Sequence, residues 1–127
     1  MKEKVIYLLL ILMILASCAG NRKYDDLMQR ADSIMDVDDD SAKVAIRMLD
    51  GIKPQLPEFS QSQKMRYELL RHKAMNKACI TFTSDSVMKK VVDYYDHHGS
   101  ANERMLANYV LGCVYSCLLY TSPSPRD

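Results

Sequence analysis

Apolar and polar positions divide the chain into three regimes. Residues 5–16 are an unbroken apolar run, residues 23–116 repeat apolar side chains every three or four positions, and residues 117–127 keep neither habit. At 3.6 residues per turn, positions i, i+3 and i+4 share one side of a helix, so the middle regime predicts amphipathic helices. The first, over residues 23–36, places Leu27, Ala31, Ile34 and Met35 together. The second follows "DVDDD", where Asp40 or Ser41 is expected to cap the first turn by accepting orphan backbone N–H groups. Its inner face reads Val44, Ala45, Met48, Leu49 and Ile52. "KPQLPEFS" carries two prolines and predicts a loop.

Ser60, with Gln63 three residues on, forms a capping-box pattern that opens a third helix. Its periodic positions are Met65, Leu69, His72 and Met75 or Asn76, extending toward Cys79. A fourth helix starts at Ser84 and Asp85, carries Val87, Met88, Val91, Val92 and Tyr95, and is expected to close on Gly99 as a C-cap. Ser100 and Glu103 make a second capping box for a fifth helix running through Ser116. Leu106, Tyr109 or Val110, Leu111, Val114 and Tyr115 are its apolar positions. No alternating, strand-like segment interrupts residues 23–116, so the expected class is all-α. Helices one, three and five begin near positions 23, 61 and 101, the period of helical-hairpin repeats, which stack because one hairpin cannot bury its apolar face alone.

Composition narrows the functional classes. At 127 residues the chain holds one small domain, and 48% apolar with 26% charged residues is ordinary for a folded protein. Formal charge is +1; leaving out Lys2, Lys4, Arg126, Glu3 and Asp127 takes 17 basic and 16 acidic residues to 14 of each. A neutral body lacks the clustered basic face that nucleic acid requires.

The N-terminus is the sharpest signal. Lys2 and Lys4 precede the apolar run, which has the length of a signal-peptide core and is short for a membrane span. It ends in Leu15-Ala16-Ser17-Cys18: small residues let a peptidase reach the backbone, and the next thiol can be alkylated by a lipid. This resembles the bacterial lipoprotein signal, which implies that residues 1–17 are removed and that Cys18 carries a diacylglyceryl group at the mature N-terminus. Residues 18–22 would be a lipidated linker, and two or three acyl chains at about 0.8 kcal/mol per methylene anchor durably. No acidic run follows Cys18, which favours a periplasm-facing anchor in the cell envelope. Cys79 and Cys113 fall among apolar neighbours and read as small core residues, their pairing left open.

In helix five, "ANYVLGCVY" is similar to the first helix of a tetratricopeptide repeat, in which Leu-Gly stands three residues before a Tyr. Leu111, Gly112 and Tyr115 hold those places with Ala107 as a small packing residue, while Asn108 departs from the aromatic the pattern carries there. A missing side chain at Gly112 would let a paired helix approach closely. "ADSIM", "DDSAKVAIRML" and "SDSVMKKVVDYYDHHG" extend the likeness to bacterial tetratricopeptide lipoproteins. The resemblance implies a helical-repeat scaffold over residues 23–116, truncated in its third hairpin, that binds a protein or peptide. Tyr67, His72, Asn76, Asn108 and Tyr109 are the partner-binding candidates it implies. A rival reading makes the chain the extracytoplasmic sensing half of a membrane-bound transcriptional regulator. Read back into codons, the terminal "CLLYTSPSPRD" resembles a translated adapter of the kind used in sequencing libraries, so residues 117–127 are expected to add nothing to folding.

No arrangement of side chains here supports catalysis or a cofactor, and none supports a metal. Asp36, Asp38 and Asp40 match the first ligands of a calcium loop, but Ser41 and Arg47 stand where Gly and Glu are required. His97 and His98 point about 100° apart on a helix and cannot chelate from one face. Ser84, Ser86, Tyr94 and Tyr95 have no base or oxyanion motif beside them. The expectation is therefore a non-catalytic, membrane-anchored binding protein.

Overall fold

A computed structural model describes residues 2–121, apart from the side chains of residues 14–21 and 121. The described chain is all-α: α1 (Lys2–Met35), α2 (Asp39–Ile52), a 3-10 segment (Lys53–Glu58), α3 (Gln61–Lys77), α4 (Ser86–His98) and α5 (Ala101–Thr121). Each helix packs on the next, and α3 also touches both α1 and α5.

Two apolar cores meet at α3. In one, Met28, Ala31 and Met35 of α1 interlock with Ala42, Ala45, Leu49 and Ile52 of α2, and Tyr67, Leu70 and Ala74 of α3 close it. Fully buried alanines on both α1 and α2 allow those helices to approach closely. In the other, Leu69 of α3 joins Met88, Val91 and Tyr95 of α4 and Ala107, Val110 and Val114 of α5, with Phe82 between. Of the expected inner positions, Leu27, Ile34 and Met48 lie at the edge of the first core, and Leu106 and Leu111 at the edge of the second. Val44 and Val87 are about two-fifths exposed, because each sits one position off the buried stripe.

Helix ends follow side-chain chemistry. Asp38, rather than Asp40 or Ser41, caps α2: its carboxylate accepts the Ser41 N–H at 2.6 Å. Both capping boxes form. Ser60 N–H donates to Gln63 Oε1 at 3.1 Å and Gln63 N–H to Ser60 Oγ at 3.2 Å. The Ser100 and Glu103 pair repeats this at 3.0 and 3.2 Å. "KPQLPE" is not an open loop but a 3-10 turn: Pro54 falls in its first turn, where N–H groups lack helical partners, while Pro57 stands inside it and donates no bond.

Three further expectations are corrected. First, α1 does not begin near residue 23 but runs back to Lys2, taking residues 18–22 into helical backbone. Second, Cys79 is not a core residue of α3. It lies exposed just past the helix at φ 59°, its N–H donating to the Asn76 carbonyl at 3.2 Å while Ile80 N–H reaches the Met75 carbonyl at 2.9 Å. That hydrogen-bond pair is a Schellman end, whose left-handed position glycine normally fills. Third, α5 continues five residues past Ser116. Cys117 and Leu118 pack against the second core, and Phe82 N–H donates to Cys117 Sγ at 3.3 Å, so this part of the terminal stretch does contribute contacts. Residues from Ser122 onward lie outside the described residues.

Gly99 closes α4 as expected, but at φ −91° and ψ 160° it needs no left-handed backbone. Space is the reason for glycine there: a Cβ would stand 2.7 Å from the Tyr95 carbonyl oxygen and 2.8 Å from Tyr95 Cδ1.

Candidate partner-binding surface

Asn76 near the end of α3 faces the middle of α5 across a groove of about 610 Å³. Asn108, Tyr109, Gly112, Cys113, Ser116 and Cys117 complete its lining. Three of the five partner-binding candidates therefore share one surface. Tyr109 is 63% exposed, and its contact with the Cys113 thiol pushes its hydroxyl pKa up. Asn108 turns its amide back to the Arg104 carbonyl at 2.9 Å, an intrahelical bond a ligand would displace at small cost.

Tyr67 and His72 are corrections, since both are buried and neither can meet a partner. Tyr67 is 1% exposed; its ring fills the first core and burial raises its pKa. Its hydroxyl lies near the Arg71 guanidinium without a hydrogen bond of good geometry. His72 donates Nδ1–H to the Glu68 carbonyl at 2.7 Å and stacks on Phe82 with ring centroids 5.6 Å apart. Helical spacing put His72 on the correct face, but no sequence signal separated a lining histidine from one roofed by Phe82.

Among the repeat-packing residues, Ala107 is fully buried and Leu111 packs at the edge of the second core. Tyr115 is 40% exposed, and a Cβ on Gly112 would meet nothing within 4 Å. Gly112 therefore serves no close helix approach within this structure; its open side belongs to the groove. The backbone of Cys18 lies within α1, and the expectation of lipidation falls on a side chain outside the described residues.

The acidic stretch disperses its charges. Asp36 receives Lys77 at 2.8 Å and Lys73 at 3.3 Å, Asp38 caps α2, and Asp40 pairs with Lys43 at 3.5 Å. Lys73 also reaches Asp32 at 2.8 Å, so two lysines of α3 clamp the end of α1. Hydrogen bonding from Lys77 holds the Asp36 carboxyl below the usual range. This long-range clamp left no mark in the sequence beyond a surplus of charge. His97 donates Nδ1–H to the Asp93 carbonyl at 2.8 Å, and that bond with the Asp93 charge raises its pKa; the His98 ring lies 4.8 Å from that of Tyr94, tilted by 34°. Among the described residues no three His, Cys, Asp or Glu side chains converge as metal ligands.

Residues 5–13 form an apolar stretch of α1 in which every side chain is at least half exposed. No described helix is long and apolar enough to cross a membrane. No protein-family model matches the chain, and no curated protein or solved structure does.

Proposed function

We propose that the chain is an exported, lipid-anchored protein of tetratricopeptide type, whose stacked helices form a non-catalytic scaffold for a protein or peptide partner. The observation that carries this reading is the packing order: α3 touches α1 and α5 as well as its sequence neighbours α2 and α4. Stacked helical hairpins make such contacts, with the first helices of successive pairs on a common side. The α3–α5 groove suits an extended peptide, because Asn76 and Asn108 offer amide donors and acceptors and Tyr109 adds an exposed ring.

The apolar run ending at Leu15-Ala16-Ser17-Cys18 supports an acyl anchor at Cys18 and a place in the cell envelope, facing the periplasm. Labelling cells with an alkyne-bearing fatty acid should tag the wild type and leave Cys18→Ala untagged; equal tagging refutes the anchor. A photoreactive side chain at Asn108 or Tyr109 should trap a discrete partner that one at exposed Val44 does not. Identical adducts from both faces refute the groove.

A further inference from the structure

The part of α1 just past Cys18 carries an exposed basic face. Arg22, Lys23, Asp26, Gln29 and Arg30, all exposed, enclose a shallow hollow of about 670 Å³ to which no other helix contributes. At 3.6 residues per turn the five span about 120° of the helix, opposite Met28, Ala31 and Met35 in the core. Three cations thus face one carboxylate, and none of the four charges enters an ion pair among the described residues. Asp26 stands four residues before Arg30, where the two offset each other, which leaves Arg22 and Lys23. The other carboxylate nearby, Asp25, is half-buried and accepts from Gln63 Nε2 at 3.3 Å. Beyond the opposite end of α1 the sign reverses: Asp38, Asp39 and Asp40 are all exposed, and Asp40 meets Lys43 at 3.5 Å.

We infer that Arg22 and Lys23 dock on the phosphate groups of an anionic phospholipid bilayer and stand α1 on the membrane by its Cys18 end. The inference rests on the acyl anchor proposed above and adds an orientation to it. Arg22 and Lys23 lie four and five residues past Cys18, about 6–8 Å along the helix. A headgroup layer is about 5–8 Å deep, so both side chains fall within it. Long helical side chains lean toward the N-terminal end of their helix, here toward the bilayer. An anionic surface attracts this end and opposes α1 lying flat, which would bring Asp38, Asp39 and Asp40 down to it. Lys77 meets Asp36 at 2.8 Å, so the end of α3 stands level with the end of α1. That level is about 27 Å from Cys18 along the helix. Asn76, on the α3–α5 groove, is thereby held clear of the lipid.

The test uses the protein isolated from the membrane fraction, in nanodiscs of net-neutral phospholipid or of a mixture containing anionic phospholipid. Acetylation by a water-soluble ester, mapped by mass spectrometry, reads how freely each lysine amine reacts. Lys23 should react about fivefold more slowly in the anionic discs, and high salt should restore its rate. Lys43, beside Asp40, should react alike in both. Arg22→Gln should weaken the protection of Lys23 and Asp26→Asn should strengthen it. Both positions are exposed, so circular dichroism should match the wild type. Protein acylated at Cys18 whose Lys23 reacts equally in both discs overturns the docking surface and leaves the anchor standing. Equal slowing of Lys23 and Lys43 overturns the orientation. Protein that leaves the discs with Cys18 unmodified overturns the anchor, and this inference with it.

Discussion

Replacing Cys79 by glycine should stabilise the protein, and the size of the gain follows from its backbone. Cys79 holds φ 59° at the Schellman end of α3, where an L side chain crowds the neighbouring carbonyl at a cost of about 1–2 kcal/mol. Glycine removes that crowding but loses about 0.5–1 kcal/mol through the greater freedom of the unfolded chain. Because Cys79 is exposed, little packing is lost with the thiol, and the balance is a gain of about 0.5–1 kcal/mol. For a domain of this size that is a rise in Tm of about 2–8 °C. Thermal unfolding of the full chain in mild detergent, under reducing conditions, measures it by circular dichroism. Cys79→Ala is the control: it deletes the thiol, keeps the crowding, and should stay within about 0.5 kcal/mol of the wild type. A glycine variant no more stable than the alanine variant would refute the argument from backbone strain.

Gly99→Ala should lose about 1–3 kcal/mol, since its Cβ meets the Tyr95 carbonyl at 2.7 Å; an unchanged Tm would show that the α4–α5 turn yields freely. Ser60→Ala should cost about 1 kcal/mol by undoing the capping box of α3, read as an earlier midpoint in urea. Asp36 adds stability that is fully present above its ordinary pKa of 3.8 and is lost as pH falls through its lower folded value. Lys77→Met should therefore flatten the acid limb of a Tm-against-pH curve, and an unaltered limb would remove Asp36 from the account.

How far the sequence could be read depended on whether each feature was local. The Ser60 and Gln63 pair, the Ser100 and Glu103 pair and the stripes of α2 and α4 were legible, because a cap and a 3.6-residue period are written within a few positions. Cys79 was misassigned because a helix stop without glycine or proline leaves no punctuation, and its apolar neighbours imitate one more turn. The sequence does not single out Asp38 as the cap, because four adjacent positions, Asp38 to Ser41, all offer short side chains with an acceptor oxygen. Asn76, Asn108 and Tyr109, which line the groove, follow from the tetratricopeptide resemblance, which points to the first helix of each hairpin, and not from a pattern of their own. Tyr67 was not separable from them, since only the α1–α2 pair shows that its side of α3 is covered.

Both cores draw on α3, and its seventeen residues, largely polar, could not hold a helix in water without them. Loosening either core strips one flank of this shared helix, and the other core then loses part of its own wall. Damage in α1–α2 and damage in α4–α5 are thus exchanged through a common party rather than confined. The molecule should melt as one unit instead of shedding a hairpin from either end.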